Sequence, residues 1–363
     1  MFDRPGTFSG RLARAVVVLL LLGSSCAAAD RNEREAGSDP VSEPTPESAA
    51  TPTTAPIEPQ PSAQPTSPPP DQTPQPTASP EPASPFPVVV EHVGGSTTID
   101  QEPTRIVTLT DTAELASLLA LGIQPVAAGQ RLPLVLPWIS ERLDPSVEMF
   151  TDADINIERI AAFEPDLIIG PEGLFGDDLG RWQGVAPSIE TPDIGWREIL
   201  RIVAEATGTQ DQAEVLRLET EATLASFDPE LAATAPTLAF VFAADAGGAL
   251  VFNADSPLSD TLVAAGLPPL EAPQPDAQPG GNAYPEERLG EIAAEAIVVI
   301  DPFGSSLATL EENPLWRTLP AVEAGRVTRI TLFDAALVVF DSVLTIPLQL
   351  ELLERLLGEL TPS

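Results

Sequence analysis

The strongest constraint on the fold is a segment that occurs twice. "ERIAAFEPDLII" at 158–169 aligns without a gap on "ERLGEIAAEAIV" at 287–298. Glu158 falls on Glu287, Arg159 on Arg288, Ile160 on Leu289, Asp166 on Glu295 and Ile168 on Ile297. Each copy reads as a short helix followed by a buried strand. A second pair keeps the same order: "SLLALGIQPV" at 117–126 lies over "TLVAAGLPPL" at 261–270, with Gly122 on Gly266 and Pro125 on Pro269. Such duplication predicts two lobes of similar build, each carrying one of two matched glutamates.

Residues 88–363 alternate in the same way throughout. "RIVTLT", "QPVAAG", "DLIIG" and "PSIET" read as strands, with helical stretches between them that stop at Gly122 and Gly208. In the second half "TLAFVFA", "ALVFN", "AIVVID" and "RVTRIT" are strand-like, and "SDTLVAAG", "EERLGEIAA" and "LTIPLQLELLERLLGEL" are helix-like. Strands alternating with helices predict α/β lobes with mostly parallel sheets. Between the copies, 211–227 contains neither Pro nor Gly, and Ala213, Leu216, Thr220, Leu224 and Phe227 recur at spacings of three and four. One long helix, 210–228, is therefore expected between a first lobe at 88–209 and a second at 229–363.

The leading residues are of a different kind. Arg4, Arg11 and Arg14 precede the apolar run Ala15–Leu22, and small residues lead to Cys26, the chain's single cysteine. This predicts a secretory signal over 1–26, with Cys26 as a lipidated first residue of the mature chain. Gly23 stands where a lipobox usually has Leu. The apolar run is shorter than the ~20 residues a spanning helix needs. Over 27–87 the chain is rich in Pro, Thr and Ser, with seventeen prolines between Pro40 and Pro87. It reads as an extended, disordered tether reaching ~3 Å per residue. The expected location is the outer face of the cell membrane, held there by the lipid.

Charge narrows the partners. There are 54 acidic residues against 18 basic ones, all arginine. Nucleic acid and anionic membrane surfaces need a basic face, so both are excluded as partners. Catalytic equipment is sparse. His92 is the single histidine, no G-x-S-x-G elbow appears, and "DTAELAS" stands where a phosphate loop would lie. A binding protein is expected, not an enzyme. With one His and its only Cys at the lipid position, any metal is expected to arrive already chelated.

Ligands of open α/β sheets bind outside the carboxyl ends of the strands. The loops there carry Arg131, Trp138, Phe175, Arg181, Trp182, Trp196 and Arg197 in the first half, and Phe252, Asn253, Tyr284, Phe303 and Phe333 in the second. Aromatics with convergent polar groups suit a mid-sized organic ligand in a cleft between lobes.

The segments "PTRIVTLT…ELASLLALGIQPVAAG", "NIERIAAFEPDLIIG", "YPEERLGEIAAEAIVVID" and "NPLWRTLPAVEAGRV" occur in this order. Through them the globular part resembles the iron-siderophore and cobalamin (class III) substrate-binding proteins of ATP-driven importers. The resemblance implies two α/β lobes joined by a single long rigid helix, a ligand cleft between them, limited closure and a monomer without resident cofactor. It implies docking onto arginines of the two permease subunits through a surface glutamate on each lobe, at positions held here by Glu158 and Glu287, with an ATPase driving transport. The ligand implied is a ferric siderophore or similar iron chelate. Cobalamin, haem, and a surface receptor lacking a permease stay as alternatives. Over 88–363 there are 13 arginines against 44 acids, so a neutral or cationic hydroxamate is easier to accept than a catecholate, whose partners would be Arg131, Arg181 and Arg197.

Overall fold

The computed structural model describes residues 84–131, 135–151, 154–176, 179–193, 195–244, 248–275, 277, 280–301, 304 and 306–360. The signal segment with Cys26, the tether up to residue 83, and Phe303 lie outside the described residues.

Chain entry is a hairpin of β1 (Val88–His92) and β2 (Gly95–Ile99). The first sheet follows, built from β3 (Ile106–Thr108), β4 (Ala127–Gln130), β5 (Glu148–Thr151), β6 (Leu167–Pro171) and β7 (Ser188–Thr191). All of its pairings are parallel, in the order β5-β4-β3-β6-β7. The second sheet contains β8 (Leu238–Ala243), β9 (Ala249–Phe252), β10 (Gly281–Tyr284), β11 (Ala296–Ile300) and β12 (Val327–Ile330), in the order β10-β9-β8-β11-β12. Counted from its own first strand, each sheet runs 3-2-1-4-5. The copies differ at β8–β9–β10, which pair antiparallel.

The helices used below are α1 (Ala113–Ala120), α2 (Ile157–Ala161), α3 (Leu179–Gln183), α4 (Trp196–Thr207), α5 (Gln210–Ala225), α6 (Pro257–Ala264), α7 (Leu332–Val339) and α8 (Ile346–Leu360). The duplicated segment takes equivalent places. Glu158 stands in α2, just before the fourth strand of the first sheet, and Glu287 in a 3-10 turn (Glu286–Glu291) before the fourth strand of the second. The aligned Asp166 and Glu295 do the same work in both lobes. Asp166 Oδ2 accepts from Thr104 N at 2.8 Å and Thr104 Oγ1 at 2.9 Å. Glu295 Oε2 accepts from Thr237 N at 2.9 Å and Thr237 Oγ1 at 3.3 Å. Each carboxylate thus pins the threonine that leads into its sheet's first strand. Gly122 and Gly266 both end their helices at left-handed φ, 77° and 76°. There the amides of Ile123 and Leu267 turn back to Leu118 O and Leu262 O, which only glycine allows without strain.

The long helix expected at 210–228 is α5, and it ends earlier. Asp228 turns outward to cap the next short helix, accepting from Glu230 N and Leu231 N. The expected face is buried at Ala213, Thr220 and Leu224, with Phe227 just past the end. α4 lies against α1 and β1, whereas α5 lies against α4 and against α6 and α8 of the second lobe. One apolar cluster runs from Leu167 and Ile169 through Ile199, Val203 and Leu224 to Phe240 and Val298. Swinging the lobes far apart would expose that cluster, at about 25 cal/mol per Å² of apolar surface. The stretch "EERLGEIAA", expected as a helix, winds only as the 3-10 turn, because Gly290 interrupts it and Ile292 is already extended.

Candidate functional site

A cavity of about 210 Å³ lies between the lobes. From the first lobe it takes residues at the carboxyl ends of strands: Thr112, Ala113 and Glu114 after β3, Arg131 after β4, Pro171 ending β6 and Asp193 after β7, with Ile199 of α4. The second lobe supplies Leu250 and Phe252 of β9, Asp255, Ser256 and Pro257 leading into α6, Gly280 before β10, and Val339, Phe340 and Asp341 around the end of α7.

Glu114 is the more deeply buried of two buried acids at this site, 1% exposed, the other being Asp341. A carboxylate is tolerated there because hydroxyls meet it. Thr110 donates to Oε2 at 2.8 Å, Thr112 to Oε2 at 3.0 Å and Thr191 to Oε1 at 2.5 Å. The sequence places these groups well. Thr110 and Thr112 precede α1, Glu114 opens it, and Thr191 ends the strand two places across in the sheet.

Asp341 joins the two lobes. The N-cap of helix α4 is Gly195, at a left-handed φ of 100°, and glycine has no side chain to cap the helix. Asp341 takes that role from the second lobe, accepting from Trp196 N at 3.2 Å through Oδ2. Burial pushes its carboxyl up to about 6, the nearby Asp260 adds to the rise, and the backbone donors at Trp196 and Gly195 hold it back.

Among the described residues, two polar atoms at the cavity are buried without a hydrogen-bond partner: Ser256 Oγ and Arg131 Nε. Ser256 is 4% exposed and stands at the N-cap of α6, yet its hydroxyl makes no capping bond. The loop that presents it is set by Asn253, whose Nδ2 donates to Asn282 Oδ1 and whose Oδ1 accepts from Asp255 N.

Of the residues expected at the cleft, Arg131 and Phe252 line this cavity. Asn253 stands behind it, as does Tyr284, whose hydroxyl donates to Glu271. Trp196 does not line the cavity, though its N–H donates to Asp341, which does; its ring is buried, with Arg197 lying 4.4 Å over it. Arg197 itself pairs with Glu221 of α5 at 2.9 Å. Trp138 is buried in a short helix (Pro137–Ser140). Phe175 and Trp182 pack edge to face in the core, the indole N–H donating to Phe175 O. With Arg181 they border a second hollow, on the first lobe beside Glu158. Phe333 is 46% exposed and does not line the interlobe cavity.

The single histidine is structural. His92 Nδ1 accepts from Gly94 N and Glu190 N, and Nε2 meets Thr97 Oγ1 at 2.9 Å. Burial lowers its pKa. Glu158 and Glu287 are both exposed, in the first turns of their segments.

Residues 106–331 match the model of a family described as periplasmic binding protein, which is more than half of the chain. The chain belongs to the periplasmic binding protein family. A probable siderophore-binding lipoprotein, YfiY of Bacillus subtilis, is 30% identical over 131 residues, covering 34% of this chain and 40% of the relative's own length. Among solved structures, a periplasmic solute binding protein from Mycobacterium smegmatis superposes with a TM-score of 0.66 at 22% identity, over 75% of this chain and 98% of that one. PiaA of Streptococcus pneumoniae in complex with ferrichrome gives 0.62 at 24% identity, again over 75% and 98%. At these identities the two structures establish the fold: two α/β lobes with mostly parallel sheets joined through a long helix. In this binding protein the interlobe cavity occupies the carboxyl ends of β3, β4, β6 and β7, where ligands of such sheets lie.

Proposed function

We propose that this chain is an extracytoplasmic, lipid-anchored binding protein that captures a ferric siderophore or similar iron chelate between its lobes and delivers it to the permease of an ATP-driven importer. The observation that carries this reading is the interlobe cavity of about 210 Å³, lined from both lobes and furnished with Arg131 Nε and Ser256 Oγ as unused polar contacts. A ligand seated there touches both lobes at once. The relatives, a probable siderophore-binding lipoprotein and a protein solved with ferrichrome, point to the same ligand class. The iron is cargo, held by the chelator's own oxygens.

Delivery is assigned to Glu158 and Glu287. They are exposed at equivalent positions of duplicated lobes, which suits a permease of two equivalent subunits with an arginine on each. Cys26 carries the lipid in this reading, and the protein acts as a monomer.

The test is a fluorescence titration of the full chain with ferric hydroxamates, ferric catecholates, cobalamin and haem. Saturable quenching at micromolar ferric chelate is expected. Response to cobalamin or haem alone would transfer the cavity to that ligand, and no response to any of them would end the transport reading.

A further inference from the structure

Among the described residues, the ionisable ones lining the cavity are four acids, Glu114, Asp193, Asp255 and Asp341, and one base, Arg131. The acids come from both lobes. Asp193 follows β7 of the first sheet and Asp255 follows β9 of the second, and both are exposed. Glu114 is met by three neutral hydroxyls, which stabilise its charge without cancelling it. Beside Asp255 stands the buried Ser256 Oγ, without a partner and free to accept from a donor group of a ligand. On the other lobe Arg131 Nε, also buried and without a partner, is a donor waiting for an acceptor oxygen.

We infer that the cleft selects a ferric chelate of net positive charge: a neutral tris-hydroxamate core, whose oxygens face Arg131, with a protonated amine directed to Asp255 and Ser256. This rests on the reading of the cavity as a ferric-chelate site and narrows it. A polyanionic ferric tris-catecholate would meet several carboxylates and one guanidinium. An ammonium group instead gains an acceptor hydroxyl and the field of at least two carboxylates. At about 6–8 Å through water each carboxylate is worth about a threefold change in affinity, less in high salt.

Three probes separate the outcomes: a linear ferric tris-hydroxamate with a free terminal amine, the same chelate N-acetylated to remove the charge, and a ferric tris-catecholate. They are titrated into the full chain by calorimetry at low and at physiological ionic strength. The amine-bearing chelate is expected to bind about tenfold tighter than its acetylated form, and the catecholate more weakly than both. Asp255→Asn should shrink the amine-to-acetyl ratio about threefold, because the amine-bearing chelate loses more affinity than the acetylated one. Equal binding of the two hydroxamates, or tightest binding of the catecholate, would overturn the inference and leave the transport function standing. An unchanged ratio in Asp255→Asn would also overturn it. Binding of none of the three would remove the proposed function, and this inference with it.

Discussion

Asp341→Asn is the substitution that most directly tests how the lobes are joined. Asp341 is 4% exposed, accepts from Trp196 N and feels the charge of Asp260. Its carboxyl is raised from 3.8 to about 6. The folded protein therefore holds this proton more tightly than the unfolded chain does. The associated stability is fully present below pH 3.8 and is lost as pH rises through about 6. At neutral pH a rise of that size corresponds to about 3 kcal/mol carried as the cost of a buried charge. Asparagine keeps an oxygen for the Trp196 amide and has no charge to desolvate. Its new N–H₂ group must find an acceptor, which offsets part of the gain. Asp341→Asn should stabilise the protein by about 1–3 kcal/mol at pH 7.5 and change it little at pH 4. Urea unfolding of both proteins at both pH values measures this directly. Equal changes at the two pH values would mean that shape, not ionisation, governs the site; a loss at pH 7.5 would mean that the carboxylate's attraction to the start of α4 outweighs its burial.

Charge reversal of Glu158 and Glu287 to Arg, singly and together, should lower uptake of the iron chelate by cells while leaving its affinity for the purified protein unchanged. Unchanged uptake in the double variant would remove these residues from docking. Asp166→Ala and Glu295→Ala remove equivalent clamps, each costing about 1–2 kcal/mol in urea unfolding; the Asp166 variant should lose more, because its Oδ1 also accepts from Arg105 N at 2.8 Å. Glu114→Gln replaces one acceptor oxygen by a donor and leaves a threonine hydroxyl without its partner, so thermal unfolding should report a loss of about 1–2 kcal/mol. No loss would show that the three hydroxyls do not depend on a carboxylate.

The two-lobed build was legible because duplication leaves its mark where backbone geometry forces a residue. Gly122 and Gly266 are such places, and so are the short helices that put Glu158 and Glu287 before the fourth strands. The aligned Asp166 and Glu295 were equally visible, but an acid that pins a strand entrance looks in sequence like any solvated acid. Strands β5 and β10 were missed for a related reason. β5 is an edge strand with one buried residue, Phe150, and β10 begins Gly-Asn; neither has a β-branched run, and each exists because a neighbour supplies a ladder. The entry hairpin β1–β2 has such a run at 88–90, but its partner starts with Gly95, and only the pairing reveals it.

The cleft was harder to read, and the difficulty is one of competition for burial. Large aromatics near strand ends are natural candidates for ligand contacts, but they also have the most apolar surface to hide. Trp138, Phe175, Trp182 and the Trp196 ring went into the core, where each is less than a tenth exposed. The cavity is lined instead by apolar residues such as Leu250, Phe252 and Phe340, with Glu114, Ser256, Asp341 and the rim acids as its polar groups. A trace of this was present in "TLTDTAE", where Thr110, Thr112 and Glu114 alternate at the end of a strand. Hydroxyls at that spacing converge on one point only if the strand stops and a helix begins between them, which is what "DTAE" does. Asp341 had no comparable trace, because its partner is a backbone amide 145 residues away. Residues that work through their own turn can be found from sequence; those that work by capping another lobe's helix cannot.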